Sequence, residues 1–283
     1  MNGGSEVARE AAHILLIDNN FNSIVIAIEL GRAVFDNLKK VIIYLLPAGT
    51  WSEMLTILCS IFFGMQSMLS SFLMIIICTC TDVMVSVALV NETAEDDIMT
   101  RKPRQLGERL VDAKLLLTAY FTTGTFMFFA ATINFFWWAA DNGIPFWGVF
   151  WAWSWGDGWY DHSSDELAEI INVGQCIFFV TLVIMQWGNC LAVRTRRVSL
   201  FQHNPLWGPH RNYYLPIGVL LSFLTLIVIT LGPFFQSTFL TRQVPIKYAL
   251  VACVWALWLV VWDEGRKFIV RNKPKSWVAR VAW

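Results

Sequence analysis

The sequence predicts an all-α membrane protein: six transmembrane helices preceded by a short cytosolic segment. Three observations predict it. Of the 283 residues, 56% are hydrophobic, with 15 Trp, 21 Phe and a mean hydropathy of +0.53, too apolar for a soluble domain of this length. Six apolar stretches, approximately 41–64, 68–90, 114–140, 170–193, 213–232 and 248–262, come close to the ~20 residues that cross ~30 Å of hydrocarbon at ~1.5 Å per residue. The connecting segments also alternate in charge. Arg101, Lys102, Arg104 and Arg109, then Arg194, Arg196, Arg197 and Arg211, then Arg266, Lys267, Arg271, Lys273, Lys275 and Arg280 fall in every second connection and at the C-terminal end. The 65–67 turn has neither Lys nor Arg, 141–169 carries only acids, and 233–247 has Arg242 and Lys247 alone. The positive-inside rule then puts both termini in the cytoplasm, with three hairpins between them.

Formal net charge is zero, so the total identifies no acidic or basic partner. The opening stretch, MNGGSEVAREAAH, is polar and reads as no secretory signal. Cys59, Cys78, Cys80, Cys176, Cys190 and Cys253 all fall in apolar segments, where packing as small hydrophobes is the expected role. Residues 1–40 are not membrane. They predict a short amphipathic helix and a strand at Ile14 to Asp18. A turn capped by Asn22 or Ser23 follows, then a helix with Ile24, Ile28 and Phe35 on one side. Nothing interrupts that helix before Val41, so it should run into the first span as a stalk. So small a piece cannot bury a core of its own.

The first span holds Pro47, Gly49 and Glu53. Glu53 lies twelve residues past Val41, ~18 Å along the axis and near mid-membrane. Gly49, Thr50, Thr56 and Ser60 share its face at helical spacing. Pro47 removes a backbone hydrogen bond and frees a carbonyl close by. A carboxylate in hydrocarbon costs several kcal/mol unless it faces protein or a cavity, which makes it a functional-site candidate. The second span supplies a partner: Asp82 lies eight residues before Val90, with Cys78 and Thr79 one turn away and Ser86 on its other side. Two carboxylates, hydroxyls and a free carbonyl are hard oxygen ligands suited to an alkali or alkaline-earth cation, or to protons. The plain alternative is two protonated acids bonding between helices. Gln175, Gln186 and Asn189 share a face of the fourth span, where amides are commonly interhelical glue.

Six stretches, GSEVAREAAHILLIDNNFNSIV, GRAVFDNLKKVIIYLLPAG, CTDVMVSVAL, ETAEDDIMTRKPR, VIMQWGNCLAVRTRRVSLFQ and WDEGRKFIVR, follow one another in order along nearly the whole length of the chain. On them the sequence resembles the C-terminal part of a P-type cation-transporting ATPase of the sodium/potassium type, its fungal-type members above all. The resemblance implies that residues 1–40 are the last elements of a phosphorylation domain and that 41–283 hold the fifth to tenth transmembrane helices. It implies ATP and Mg binding on cytosolic domains outside this chain and a transported monovalent cation within it. Neither DKTGT nor TGE occurs, so no ATP hydrolysis is expected of this chain alone.

Carried over by position, the resemblance points to Tyr44, Gly49, Thr50, Glu53, Cys78, Thr81, Asp82, Gln186 and Asn189 as the cation-site set. Glu53 matches the glutamate of the family's fifth helix with one extra residue between Tyr44 and it. Asp82 matches the second aspartate of the sixth helix. Cys78 stands in place of the first aspartate, Gly49 in place of an asparagine ligand, and Asn189 in place of an aspartate tied to a third sodium site. Those departures leave a proton or a single monovalent cation as open as sodium. They also leave open a degenerate, non-transporting protein with a packing or assembly role. The family suggests the plasma membrane.

PFWGVFWAWSWGDGWY, Pro145 to Tyr160, reads as an interfacial aromatic belt, with an accessory-subunit docking surface as the alternative; the family's docking motif is not visible. The basic patch before Ser199 reads as a juxtamembrane anchor ahead of a kinase site, and Asp263 and Glu264 as ion-pair partners of Arg266 or Lys267.

Overall fold

The computed structural model describes residues 6–12, 20, 22–95, 97–101, 109–151, 153, 158–196, 198–200, 211–273 and 276. Six helices among them are long and apolar enough to cross a membrane: Asn22–Phe63, Ser71–Val90, Ala113–Asp141, Ser164–Val193, Tyr214–Leu231 and Ile246–Asn272. Short helices occupy Glu6–Ala11, Phe146–Val149 and Pro233–Phe239. No strand occurs among the described residues, and the strand expected at Ile14 to Asp18 lies outside them.

The stalk and first span form one continuous rod, as the uninterrupted sequence predicts. Its start differs from expectation: Asn22 is already helical, and its N–H is received by the Asn20 side-chain oxygen at 3.0 Å, so the cap lies upstream of Asn22 and Ser23. Ile28, Leu30 and Val34 remain exposed on the stalk. The rod ends at Gly64, whose φ of 58° is a left-handed turn that glycine adopts without steric penalty. The second span opens on the Ser70 hydroxyl, which accepts from the Leu73 N–H. A capping box of Ser163 and Glu166 starts the fourth span six residues before its apolar stretch. The sixth continues through its charged end to Asn272, because Asp263, Arg266 and Lys267 pair one helical turn apart.

The fourth span is the axis of the bundle. In its most apolar window 72% of residues are buried inside the protein, against 17% in the sixth, which lies on the outside facing lipid. Two layers of polar contacts cap the bundle and fix its topology. At one end the stalk meets the close of the second span, which bonds the close of the fourth and the start of the fifth, and the charged end of the sixth bonds the close of the fourth. At the other, Gln175 bonds the Ser67 carbonyl, Arg242 pairs with Glu169, and Lys247 pairs with Asp141. The six spans therefore form three hairpins, with the start of the first and the close of the sixth at one end.

Three spans carry a π-helical turn: Pro47–Ser52, Ile77–Thr81 and Thr118–Gly124. Such turns widen the i→i+4 ladder to i→i+5 and accommodate about one extra residue. The first lies against both of the others.

Candidate functional site

Pro47 lacks an amide hydrogen, and the chain around it relaxes into the π turn. Its carbonyl accepts the Ser52 hydroxyl at 2.8 Å, and the same hydroxyl lies 3.3 Å from the Gly124 carbonyl of the third span. Trp51 stacks on Tyr120 with ring centroids 4.9 Å apart and donates to the Thr125 hydroxyl. The π turn is thus locked to the third span on one side, and its other side faces the second.

On that other side lies a buried polar network. Asp82, 1% exposed, receives the Gln186 amide on one oxygen at 3.1 Å and the Tyr44 hydroxyl on the other at 3.4 Å. The Tyr44 carbonyl accepts from Gln186 at 3.2 Å and from Asn189 at 3.3 Å, while Asn189 donates to the Gln186 oxygen at 2.9 Å. The two amides therefore act on backbone and carboxylate, beyond simple glue between helices. Gln175, on the same face of the fourth span, bonds the turn at Ser67 and takes no part.

Beside this network lies an open half. The Cys78 thiol donates to the Gly49 carbonyl at 3.4 Å and to Glu53 at 3.6 Å. A methyl group built on Gly49 would stand 3.1 Å from the Cys78 sulfur and 3.4 Å from an Asp82 oxygen, so the glycine admits both groups to its backbone. Cys78 is exposed at the bundle surface and Glu53 is half-buried. Cys78 is therefore not the hydrophobic filler that its apolar surroundings suggest, but a second hydrogen-bonding link between the two helices beside Tyr44–Asp82.

Seven of the nine candidate residues are thus brought together: Tyr44, Gly49, Glu53, Cys78, Asp82, Gln186 and Asn189. Thr50 is exposed, and Thr81, although buried, turns its hydroxyl to the Ile77 carbonyl of its own helix at 2.9 Å. Thr56 likewise bonds its own helix at the Ser52 carbonyl. No Lys or Arg forms an ion pair with Glu53 or Asp82 among the described residues. A cavity of about 340 Å³ runs from Asn189 past Thr118 and Thr122 to Thr195, Asp263 and Arg266 at the ion-pair end.

That end holds a second group of buried carboxylates that sequence inspection missed. Glu92 meets Arg194 at 2.7 Å, both side chains fully buried, and its other oxygen accepts from Asn212 at 2.8 Å. Glu95 pairs with Lys40 at 3.0 Å and Arg101 at 3.1 Å and accepts from the Arg196 N–H. Arg101 also binds Asp36 and Asp97. Asn37 donates to the carbonyls of Val90 and Glu92. Burial opposes the charge of Glu95, but Lys40, the Arg196 N–H and Arg101 together hold its carboxyl below the ordinary carboxylate range. Asp263 pairs with Arg266 and Lys267, as the sequence suggests, but Lys267 is fully buried and also donates to the Ala192 carbonyl and Thr195. Ser199 and the Leu200 N–H both bond Glu264.

Comparison with known proteins places this arrangement. Residues 66–269 match the family described as "Cation transporting ATPase, C-terminus". The chain belongs to that cation-transporting ATPase family. It is 32% identical over 291 residues to a sodium/potassium-transporting ATPase subunit alpha-4 of Homo sapiens, covering 98% of this chain and 27% of the relative. It is 31% identical to the corresponding alpha subunit of Hydra vulgaris, with the same two coverages. To a potassium-transporting ATPase alpha chain 2 of Rattus norvegicus it is 31% identical, over 97% of this chain and 27% of the relative. The chain thus spans about a quarter of the length of these relatives. It is a multi-pass, all-α membrane member of the cation-transporting ATPase family.

Proposed function

We propose that this chain forms the ion pathway of an ATP-driven pump for a monovalent cation, sodium, potassium or proton. Residues 1–40 serve as the end of a phosphorylation domain and its stalk. Both termini lie in the cytoplasm, the membrane is the plasma membrane, and ATP hydrolysis resides in a catalytic part outside this chain. One observation carries the reading: two carboxylates at mid-membrane depth, Glu53 and Asp82, flank a π turn and have no cationic side chain to neutralise them among the described residues. A mobile cation or protons supply the missing charge. Asp82 is anchored by Tyr44 and Gln186, whereas Glu53, half-buried and held by a thiol alone, is the group free to change partners. A shift of the stalk passes directly into Pro47 and Glu53, because stalk and span are one helix. The cavity beside Asn189, lined mainly by apolar side chains such as Phe121, Phe126 and Trp258, leads from the ion-pair end toward the site.

The test uses the chain reconstituted in lipid, with its melting temperature followed as sodium, potassium or proton concentration is raised. A bound cation stabilises by RT ln(1 + [L]/Kd), about 2.7 kcal/mol at a hundredfold excess over Kd. Glu53→Gln should abolish the shift, and in the complete pump it should abolish cation-stimulated ATPase activity. An unshifted melting temperature with all three ions, or an identical shift in Glu53→Gln, refutes the assignment.

A further inference from the structure

At the end of the bundle opposite the ion pairs, the segment after the third span folds back over the first. The Trp151 N–H donates to the Phe63 carbonyl at 3.0 Å and the Trp153 N–H to the Gly64 carbonyl at 2.7 Å. Carbonyls that close a helix have no partner within it, and none can stay unpaired where water is scarce. The contact is close: a methyl group on Gly64 would lie 2.7 Å from the Trp153 ring. Trp151 and Trp153 hold φ values of 65° and 51°, a backbone cost that the pairing with the first span offsets. Phe63 stacks on Phe150, which stacks on Phe146, which stacks in turn on Phe136 of the third span.

This strap turns its largest rings outward: Trp147 is 67% exposed and Trp153 68%, with Phe146 and Trp151 more than half exposed. The patch is continuous with Ile61 and Phe62 of the first span and Trp137 of the third, all exposed on the surface that faces hydrocarbon. The ionisable groups flanking it in the chain, Asp141, Asp157, Asp161, Asp165, Glu166 and Glu169, are acids apart from His162, and among the described residues the two basic side chains at this end, Arg242 and Lys247, are paired with Glu169 and Asp141.

We propose that this aromatic strap is a lipid-binding surface, seated in the headgroup layer of the leaflet at this end, and that it fixes the far end of the Glu53-bearing helix to the bilayer. Trp is the residue suited to such a place, with an apolar ring for the acyl boundary and an N–H for the headgroups. Continuity with the hydrocarbon-facing surface makes lipid the occupant, and the acids select zwitterionic over anionic headgroups.

The experiment places photoreactive p-benzoylphenylalanine at position 147 of the full chain in phosphatidylcholine vesicles, with position 62 as the lipid-facing reference. Mass spectrometry should find phosphatidylcholine adducts at 147 within roughly a factor of three of those at 62, and fewer when phosphatidylserine replaces the phosphatidylcholine. Adducts at 62 with none at 147, or cross-links from 147 to another polypeptide, overturn the proposal. The unsubstituted chain gives an independent reading by hydroxyl-radical oxidation in the same vesicles. Trp147 should be oxidised as slowly as Trp258, 56% exposed on the sixth span. Oxidation at the rate of a tryptophan in water refutes lipid cover.

Discussion

The protein buries two sets of carboxylates and treats them differently. At the ion-pair end, Glu92 and Glu95 are each met by cationic side chains: the buried Arg194 for the first, the buried Lys40 and the partly buried Arg101 for the second. At mid-membrane, Glu53 and Asp82 are met by a thiol, a phenol and an amide, all neutral donors. A carboxylate with its own cation is a fixed part of the structure. One served only by neutral donors is left for a proton or a mobile cation to neutralise, and that is the property a transport site requires. The same neutralising substitution should therefore act in opposite directions in the two regions.

The largest effect is expected from Glu92→Gln. It removes the carboxylate charge that meets the fully buried Arg194 at 2.7 Å, which costs on the order of 3–5 kcal/mol. It also removes an oxygen from Asn212, whose side chain ties the start of the fifth span to the end of the second. Chemical unfolding of the reconstituted chain measures the loss; a change below about 1 kcal/mol would make the pair dispensable and break the contrast.

Lys40→Met should cost less, about 2 kcal/mol, because Glu95 keeps Arg101 and the Arg196 N–H. Its distinguishing signature is in pH. The Glu95 carboxyl is held low when folded, so its contribution is complete above the unfolded value of about 4.3. It is lost as pH falls from there through the folded value. The wild-type chain should lose stability over that acidic interval, and Lys40→Met should lose less. Equal losses in both would remove Lys40 as a cause of the depression.

Much of this was legible in the sequence, and the boundary of legibility is physical. The six spans could be read because apolar runs of bilayer length have few other uses. Glu53 and Asp82 could be read because a carboxylate within such a run needs a reason. Glu92–Arg194 could not, since the partners are 102 residues apart and both lie in polar connections where charge is ordinary. The reading of Cys78 failed because composition cannot tell a thiol that fills space from one that donates between helices. The π turns left a single trace, the extra residue between Tyr44 and Glu53 relative to the family, which a widened turn absorbs. Thr50, placed beside Glu53 by straight-helix spacing, lies in the first π turn and is exposed, and Thr81, named through the resemblance, lies in the second and spends its hydroxyl on its own helix.

The smallest stability effect should come from Asp82→Asn, and it bears most directly on the comparison. The asparagine oxygen can accept the Gln186 amide as the carboxylate does, and the Tyr44 hydroxyl can rotate to accept from the new NH₂. Every hydrogen bond survives while a buried ionisable group without its own cation disappears, so stability should stay within about 1 kcal/mol of wild type or rise. The melting shift with monovalent cation or proton should meanwhile fall away, because a neutral amide neither attracts a cation nor holds a titrating proton. A loss of several kcal/mol in this variant would mean that Asp82 is neutralised within the fold, as Glu92 is, and the distinction between the two sets of carboxylates would fail with it.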